Sequence, residues 1–206
     1  MPSKQHWEHV YAAKATDAVS WYQAHAEHSL RLIRDTGLPR TAALIDVGGG
    51  ASTLVDDLLA EGYQDLSVLD LSAAALQAAQ ARLGPRAGAV KWRVADITRA
   101  VLPVHAYALW HDRAVFHFLT DPQDRQAYVQ AVLRAVKPGG HVIVATFAED
   151  GPLQCSGLPV VRYRADQLHA EFGDAFELLA HEREVHHTPF GTVQPFTYCY
   201  CRRAVS

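Results

Sequence analysis

The chain has 206 residues, 49% of them hydrophobic and 20% charged, which is typical of one globular domain with a sizeable core. A formal net charge of −3 and the lack of any lysine or arginine run argue against electrostatic nucleic-acid binding as the main function. No apolar stretch has the ~20 residues that span a bilayer, the N-terminus lacks a signal-peptide core, and three cysteines favour reduced thiols in the cytoplasm.

Aromatic residues are concentrated near the N-terminus. Residues 5–35 place apolar side chains at helical spacing, among them Tyr11, Trp21 and Tyr22. We predict that this segment is helical and ends before Gly37, since glycine commonly follows the last turn of a helix. Such side chains either pack in the core or cover a neighbouring site, and the spacing alone does not decide between the two.

Three glycines follow the first predicted strand. The apolar run over residues 43–47 contains Asp46, and Gly48, Gly49 and Gly50 lead into a helical pattern over residues 52–61. Glycine adopts positive φ values and lets the backbone approach a ligand without a Cβ atom in the way. Open α/β sheets bind ligands in the crevice at the carboxyl ends of such strands. The stretch is therefore either a ligand-binding turn or a plain strand-to-helix turn.

Two further acidic residues end the next strands. Strand 2 is predicted over residues 66–69 and ends on Asp70, twenty residues after Gly50, and strand 3 over residues 90–94 leads to Asp96. In nucleotide-binding βαβ units, a carboxylate about twenty residues after the glycine turn, at the end of the second strand, binds a ribose. A carboxylate suits this role because it accepts hydrogen bonds from the paired ribose hydroxyls. The alternative for Asp70 is an acidic cap on the alanine-rich helix that follows.

Two classes of cofactor use a glycine turn of this kind, and the residues favour one of them. A dinucleotide fold has Gly-x-Gly-x-x-Gly, but the third position here is Thr53. Asp46 would repel a pyrophosphate and attract an ammonium group. S-adenosylmethionine carries an α-amino group and a sulfonium, both positive. The run Asp46-Val47-Gly48-Gly49-Gly50 resembles motif I of the class I S-adenosylmethionine-dependent methyltransferases.

That resemblance implies a role for each residue in cofactor binding. Asp46 and the three glycines would hold the amino-acid end of S-adenosylmethionine, and Asp70 the ribose. Asp96 would contact the adenine amino group, with Ile97 and Leu71 on the two faces of the ring. The N-terminal segment commonly folds over the cofactor in this family, which makes Trp21 and Tyr22, together with Tyr11, candidates to contact the methionine end or the substrate.

Strand 4 is predicted over residues 107–110 and is followed by His111 and Asp112. In the family, residues at this position face the transferred methyl group, so both are candidates for cofactor contact and for general-base catalysis. The alternative is that Asp112 caps a helix and His117 packs inside it. Many small-molecule and amide methyltransferases of this family have an Asn/Asp-Pro-Pro-Tyr type of sequence here, and its absence argues against adenine-N6 or glutamine methylation.

The C-terminal half completes an α/β pattern. We predict a helix over residues 124–136, a turn at Lys137-Pro138-Gly139-Gly140 into a strand over residues 141–147, and a substrate-side loop over residues 148–159. A helix over residues 164–171 and strands over residues 176–184 and 195–202 follow. The expected fold is a doubly wound, mostly parallel seven-stranded sheet with an antiparallel last strand and helices on both faces. It would form one domain, divided into an N-terminal lid (1–40), a cofactor-binding core (41–147) and a substrate side (148–206).

Cysteines and histidines near the C-terminus raise the question of a metal site. Two cysteines that bind a structural zinc ion usually have two to four residues between them, whereas Cys199 and Cys201 have only one. Strand alternation puts these two on one face, where burial as small apolar side chains is the expected role. We predict no metal site; Cys155, His186 and His187 are possible substrate contacts.

The predicted function is methyl transfer from S-adenosylmethionine, with S-adenosylhomocysteine as the product, to an unidentified nucleophile. The arrangement around Asp70-Leu71-Ser72 resembles small bacterial relatives of the lysine methyltransferases that modify citrate synthase or elongation factors, although the residues after strand 4 differ. The acceptor is therefore either a protein lysine or a small molecule. Two other functions stay open: a non-catalytic cofactor-binding or interaction protein, and an NAD-dependent oxidoreductase. No nucleic-acid or membrane partner is expected, and the sequence specifies no oligomeric state.

Overall fold

The computed structural model describes residues 3–13 and 18–205. These residues form one large sheet with helices on both faces and a small two-stranded hairpin. The helices are α1 (Lys4–Ala13), α2 (Glu27–Asp35), α3 (Leu54–Ala60), α4 (Ala73–Leu83), α5 (Pro122–Ala135) and α6 (Ala165–Phe172), with short 3-10 helices at Gly84–Ala89 and Phe116–Phe118. The strands are β1 (Ala43–Val47), β2 (Asp65–Asp70), β3 (Val90–Val94), β4 (Tyr107–Arg113), β5 (Val136–Phe147), β6 (Gln154–Cys155), β7 (Leu158–Pro159), β8 (Phe176–His187) and β9 (Val193–Arg203).

The large sheet has the strand order β3-β2-β1-β4-β5-β9-β8. Strands β1 to β5 pair in parallel, whereas β9 is antiparallel to both β5 and β8. The predicted seven-stranded, mostly parallel sheet with an antiparallel last strand is confirmed. The order reverses between β1 and β4, so a crevice opens at the carboxyl ends of these two strands.

Alternating side chains on the strands build a core on each face of the sheet. On β1, Leu44 packs against residues of α2, α3 and α4, while Ile45 packs against residues of α5 and α6. The same alternation separates Leu109 from Trp110 on β4. Because both faces are covered by helices, the two central strands β1 and β4 are apolar except where they end at the crevice.

The N-terminal segment is less helical than predicted. Helix α1 ends at Ala13 and α2 begins only at Glu27, and residues 18–26 form turns, one of them closed by the Tyr22 N–H donating to the Val19 carbonyl at 3.1 Å. Residues 14–17 of the predicted helix lie outside the described residues. The aromatic side chains of Trp21 and Tyr22 pack at the crevice. This tertiary packing outweighs the helical spacing of the local sequence.

Several strand boundaries also differ from the prediction. β4 continues to Arg113 instead of stopping at residue 110, because Asp112 and Arg113 still pair with β5. Residues 137–140 are the start of β5 rather than a turn: the register shifts between Tyr107 and Leu109 on the partner strand, and Gly139 has a φ of +75°. The predicted loop over residues 148–159 contains the β6–β7 hairpin. Strand β8 extends to His187, so the two histidines lie in the strand.

Candidate active site

Two adjoining cavities lie at the carboxyl ends of β1, β2 and β4. We name the first the apolar cavity; it is lined by Trp7, Tyr11, Trp21, Val47, Gly48, Leu69, Asp70, Leu71, Ala95, Ile97, Arg113, Ala114 and Val115. We name the second the polar cavity; it is lined by Tyr11, Val19, Trp21, Tyr22, Gln23, Ala26, Ser29, Asp46, Gly48, Gly49, Ala51, Ser52, Thr53, His111 and Arg113. Tyr11, Trp21, Gly48 and Arg113 line both, so the two cavities form one elongated site.

The glycine turn lies between the cavities in a conformation that side chains would not allow. Gly48 has a φ of +70°, and a Cβ atom there would lie 1.8 Å from the Cγ2 atom of Val115. A Cβ atom on Gly49 would lie 2.5 Å from the Oδ2 atom of Asp46, and one on Gly50 would lie 2.8 Å from the Oδ2 atom of Asp70. The turn therefore brings the backbone close to both carboxylates without a side chain between them.

Asp46 lies in the wall of the polar cavity and is held by His111. The Oδ1 atom of Asp46 is 2.7 Å from Nδ1 of His111, and Nε2 of His111 is 2.8 Å from the Ser29 hydroxyl on α2. All three side chains are buried. β1 and β4 place Asp46 and His111 side by side in their parallel register. Sequence reasoning selected both residues but did not predict the hydrogen bond between them or the part played by Ser29.

Asp70 lies in the wall of the apolar cavity at the end of β2. Its Oδ1 atom accepts a hydrogen bond from the Ser72 N–H at 2.8 Å. Burial raises the pKa of Asp70 to about 7, and the nearby charge of Asp46 acts in the same direction. Leu71 and Ile97, which the family resemblance assigns to the two faces of the adenine ring, line the same cavity.

Asp96 stands beside the apolar cavity rather than among the residues that line it. Its Oδ1 atom accepts hydrogen bonds from the Thr98 N–H at 2.9 Å and the Thr98 hydroxyl at 2.7 Å. Its two neighbours in the chain, Ala95 and Ile97, do line the cavity. The carboxylate thus closes a turn that fixes the position of Ile97.

Asp112 is completely buried and lines neither cavity. Its carboxylate accepts hydrogen bonds from the Val115 N–H at 2.8 Å, the Phe116 N–H at 3.1 Å and the Tyr128 hydroxyl at 2.5 Å. Burial raises the pKa of Asp112 to about 7 even though these hydrogen bonds oppose the shift. Asp112 and His111 are neighbours in β4 and therefore point to opposite faces of the sheet, so the structure brings only His111 into the site.

The N-terminal aromatic residues cover the site. Trp21 lines both cavities and Tyr22 lines the polar one. The ring of Trp7 lies 5.9 Å from that of Trp21 and 5.2 Å from that of Phe118. Sequence reasoning did not single out Trp7, because its helical spacing is equally typical of a core residue.

Helix α1 is fastened to the site by Glu8, a residue that sequence reasoning missed. The Glu8 carboxylate accepts hydrogen bonds from the N–H groups of Ala73 at 2.8 Å and Ala74 at 3.1 Å, and from the Ser72 hydroxyl at 3.1 Å. It thereby satisfies free N–H groups in the first turn of α4, directly after Asp70. Desolvation would raise the pKa of Glu8, but these hydrogen bonds outweigh it and the pKa is lowered.

Arg113 was also missed, because strand 4 was expected to end before it. The guanidinium lies 4.0 Å from the centre of the Phe196 ring and donates to the Glu184 carboxylate at 3.2 Å and to the Tyr198 hydroxyl at 3.1 Å. The two charged side chains are about nine-tenths buried, at 9% and 10% exposure. A basic residue directly after His111 and Asp112 is the signal that could have identified it. Gln23 donates to the other oxygen of Glu184 at 2.6 Å.

The cysteines and C-terminal histidines lie outside the walls of both cavities. Cys155, Cys199 and Cys201 are buried free thiols, and burial raises the pKa of each to about 12. His186 is hydrogen-bonded to the Ser20 carbonyl at 2.8 Å, and His187 is exposed. Across residues 3–13 and 18–205, no group of three or more histidine, cysteine, aspartate or glutamate side chains is placed to hold a metal ion. Nor does any helix in these ranges have the length and apolarity to cross a membrane.

A family model described as a methyltransferase domain matches residues 44–140, the segment that carries the glycine turn, Asp46, Asp70 and His111. The chain has the class I methyltransferase fold. Residues 44–140 match the methyltransferase-domain model, and β5, β9 and β8 complete the seven-stranded sheet typical of this fold. No curated protein sequence matches the chain.

Solved structures share the class I methyltransferase fold over most of the chain. One comes from work on the conversion of a disulfide bond into a thioacetal group during echinomycin biosynthesis; it is 17% identical with a TM-score of 0.81, and the alignment covers 98% of this chain and 92% of the other. A methyltransferase from Anabaena variabilis is 16% identical with a TM-score of 0.73, covering 98% and 96%. Phosphoethanolamine N-methyltransferase 2 of Haemonchus contortus, in complex with S-adenosylhomocysteine, is 15% identical with a TM-score of 0.67, and the alignment covers 98% of this chain and 57% of the other.

Proposed function

We propose that this protein transfers a methyl group from S-adenosylmethionine to a nucleophilic acceptor. The observation that carries the proposal is the elongated site itself, in which one carboxylate stands in the polar cavity and another in the apolar cavity, on either side of a glycine turn. S-adenosylmethionine has a charged amino-acid part at one end and an apolar adenine ring at the other. The polar cavity matches the charged end of this molecule, and the apolar cavity matches its adenine end.

The amino-acid end of the cofactor would lie in the polar cavity. Asp46 would accept hydrogen bonds from the α-amino group, whose positive charge compensates the buried carboxylate. His111 would then act as a positioning residue, because both of its ring nitrogens are already engaged, one by Asp46 and one by Ser29. The alternative, that His111 is a general base as the sequence predicts, would be contradicted by unchanged turnover of His111→Ala at saturating substrate.

The adenosine end would lie in the apolar cavity. The ribose hydroxyls would donate to Asp70, and the adenine ring would lie between Leu71 and Ile97. Asp96 would reach the adenine amino group through its second oxygen, since the first is occupied by Thr98. Trp21 and Tyr22 would cover the methionine part, as the predicted lid requires.

The reaction would be an in-line displacement. A lone pair of the acceptor forms a bond to the methyl carbon while the bond from that carbon to the sulfonium sulfur breaks, and its electrons stay on the sulfur of S-adenosylhomocysteine. The acceptor loses a proton in the same overall change. Orientation of the two reactants and exclusion of water are the chief contributions of the protein. The buried, free cysteines support a reducing location, which we propose is the cytoplasm.

Calorimetric titration with S-adenosylmethionine, S-adenosylhomocysteine and NAD tests the cofactor assignment. We expect micromolar binding of the first two and none of NAD. Asp70→Ala should weaken binding at least about tenfold because it removes charge-assisted hydrogen bonds to the ribose. Asp65→Ala, at the opposite end of β2 and paired with Lys91, is the matched control and should bind like the wild type.

Three results would contradict this function. Tight NAD binding without S-adenosylmethionine binding would favour an oxidoreductase. No binding of either cofactor would remove the basis of the proposal. Cofactor binding with no methyl transfer to any member of a broad set of protein and small-molecule acceptors would favour a cofactor-binding protein without catalytic activity.

A further inference from the structure

One arginine lies in the walls of both cavities. Among the described residues that line them, Arg113 is the only lysine or arginine. In the proposed function, Asp46 receives the α-amino group of the cofactor, and the negative α-carboxylate has no assigned partner. A carboxylate removed from water is costly to bury unless it is paired with a cation or with several hydrogen-bond donors. Arg113 is therefore the cation best placed to compensate that charge.

Strand β4 brings the Arg113 side chain to the same side of the sheet as Asp46. Arg113 lies two residues after His111, so the two side chains leave one face of β4 about 6.5 Å apart along the strand. His111 in turn is 2.7 Å from Asp46, and Asp46 and Arg113 both line the polar cavity. The cavity thus contains an acceptor for an ammonium group and a donor for a carboxylate, which are the two charged groups on the α-carbon of the cofactor.

The guanidinium of Arg113 is held in place without using all of its donors. Nε donates to Glu184 at 3.2 Å and to Tyr198 at 3.1 Å, Nη2 donates to Glu184 at 3.2 Å, and Nη1 lies 3.5 Å from the Trp21 carbonyl oxygen. Nη1 and Nη2 each carry two N–H groups. In the part of the chain that the structure describes, one N–H group on each of these nitrogens therefore has no partner. The Phe196 ring covers a face of the guanidinium, whereas the N–H groups point outward in its plane.

Glu184 keeps Arg113 charged and oriented inside the protein. Burial opposes the ionisation of Glu184, but the Arg113 charge and the hydrogen bonds with Tyr198 and Gln23 outweigh it, so the pKa of Glu184 is lowered. The pair is therefore ionised and neutral overall. The amino-acid part of the cofactor is also neutral overall, since it has one ammonium group and one carboxylate. Its binding between Asp46 and Arg113 would thus add no net charge to a buried site.

We propose that Arg113 binds the α-carboxylate of S-adenosylmethionine, and of its product S-adenosylhomocysteine, through the unpaired N–H groups of its guanidinium. This inference rests on the proposed function and adds a residue that determines cofactor specificity. The charge-assisted contact favours ligands with a complete amino-acid part. A ligand that keeps the amino group but lacks the carboxylate binds more weakly.

Other polar side chains in the wall of the polar cavity are weaker candidates for this role. The Thr53 hydroxyl donates to the Gln23 carbonyl at 3.0 Å, and the Gln23 amide donates to Glu184 at 2.6 Å. Ser52 and Tyr22 also line this cavity, and their hydroxyls are the rival donors. A hydroxyl is neutral and donates one hydrogen bond, whereas a guanidinium is charged and can donate two to one carboxylate. The guanidinium therefore compensates a full negative charge better than either hydroxyl.

Calorimetric titration of the whole protein with two ligands tests the inference. The first ligand is S-adenosylhomocysteine, and the second is its decarboxylated form, in which a hydrogen atom replaces the α-carboxylate and the amino group is kept. We expect the wild type to bind the first at least about tenfold more tightly, because the second loses a charge-assisted contact. Equal binding of the two ligands by the wild type would overturn the inference.

Arg113→Met shows whether this preference comes from the guanidinium. The variant should bind S-adenosylhomocysteine at least about tenfold more weakly than the wild type does, but should bind the decarboxylated ligand within about threefold. The preference should therefore disappear. Because Arg113→Met leaves Glu184 without its cation, the double variant Arg113→Met/Glu184→Gln gives a second reading in which no charge is left buried alone. An unchanged preference in these variants would overturn the inference.

Glu184→Gln separates carboxylate binding from a purely structural role of the ion pair. It breaks the same pair but leaves the Arg113 charge in the site, so the preference for S-adenosylhomocysteine should be kept or should increase. Loss of the preference to the same extent as in Arg113→Met would mean that the pair only shapes the cavity, and would overturn the inference.

Tyr22→Phe and Ser52→Ala are the controls for the rival donors. Each removes a hydroxyl from the polar cavity and leaves the guanidinium unchanged, so both variants should keep the preference for S-adenosylhomocysteine. Loss of the preference in either variant, together with an unchanged preference in Arg113→Met, would assign the carboxylate to a hydroxyl and overturn the inference.

The titration of the wild type separates this inference from the proposed function. Failure to bind S-adenosylhomocysteine at all would refute the proposed function, and this inference with it. Normal binding of S-adenosylhomocysteine with equally tight binding of the decarboxylated ligand would refute only the assignment of Arg113.

Discussion

Burial and cofactor binding have opposite effects on the protonation of the Asp70 carboxylate. Desolvation of its carboxylate raises its pKa to about 7, and the charge of Asp46 adds to the rise, although the Ser72 N–H works against it. The unliganded side chain is therefore partly protonated near neutral pH. Ribose hydroxyl groups donate to the ionised carboxylate, so cofactor binding would favour the deprotonated form.

The affinity for S-adenosylhomocysteine should accordingly depend on pH. Because the free protein must release the Asp70 proton before the ribose binds, affinity should be constant well above pH 7 and fall by up to about tenfold per pH unit below it. Calorimetry from about pH 5.5 to about pH 8.5 measures the profile. Asp70→Asn should bind more weakly and lose this dependence. A flat wild-type profile would mean that Asp70 does not titrate on binding.

The buried carboxylate of Asp112 stabilises the fold through its hydrogen bonds. Asp112→Ala would leave the Val115 and Phe116 N–H groups and the Tyr128 hydroxyl without an acceptor. We expect the free energy of unfolding to fall by roughly 3 kcal/mol, measured by urea denaturation. Asp112→Asn keeps one acceptor oxygen and should lose less.

Cofactor affinity separates this structural role from the predicted catalytic one. The folded fraction of Asp112→Ala should bind S-adenosylmethionine within about threefold of the wild type, because additive effects are expected for a residue outside the cavity walls. Full stability combined with lost turnover at saturating substrate would instead assign Asp112 to the chemistry.

Among the elements, α1 is attached to the domain chiefly through the start of α4. Glu8 accepts hydrogen bonds from Ser72, Ala73 and Ala74, and this attachment places Trp7 and Tyr11 over the apolar cavity. A helix of ten residues has little stability of its own, so its position depends on such contacts.

Glu8→Ala should therefore release α1 from the site. We expect the affinity for S-adenosylhomocysteine to fall about fivefold to tenfold, since two aromatic walls lose their positions, while the melting temperature changes little. Hydrogen exchange of the amides in α1 should become faster. Gln5→Ala on the exposed side of the same helix is the matched control, and equal effects of the two variants would argue against the role of Glu8.

The sequence predicted those elements whose signals are local. The glycine turn, the acidic strand ends and the alternating strands each depend on residues a few positions apart. Asp46 and Asp70, named from these signals, and Leu71 and Ile97, named from the family resemblance, line the two cavities. Glu8 and Arg113 were missed because their roles depend on partners 64 to 71 positions away, namely Ser72 and Glu184. The prediction for residues 18–26 was wrong because packing against the crevice outweighs helical spacing there.

At the scale of the whole molecule, the candidate site is linked to elements that are far apart in the sequence. The hydrogen bonds that run from Asp46 through His111 and Ser29 reach Tyr198 on β9, where the Ser29 and Tyr198 hydroxyls are 3.4 Å apart, and Glu184 on β8. α2, β1, β4, β8 and β9 thus share one buried polar network. Such a network is costly when incomplete, so it favours a single arrangement of these elements.

Cofactor binding should consequently stabilise the entire domain. At a concentration about 100 times the dissociation constant, S-adenosylhomocysteine should add about 2.7 kcal/mol to the free energy of unfolding. For a domain of this size we expect the melting temperature to rise by about 5 to 10 °C in a fluorescence melting assay. NAD at the same concentration is the control and should cause no rise; an equal rise with NAD would contradict the cofactor assignment.

The attachment of α1 also has a consequence for the rate of turnover. Because Trp7 and Tyr11 line the cavity in which the adenosine would lie, we expect S-adenosylhomocysteine to depart faster when the Glu8 hydrogen bonds break and α1 moves aside. The residence time of S-adenosylhomocysteine would then set an upper limit on the number of catalytic cycles per second. The same contacts would therefore strengthen cofactor binding and slow the dissociation of S-adenosylhomocysteine. Weaker attachment of α1 would lower the cofactor affinity and raise the limit on the turnover rate.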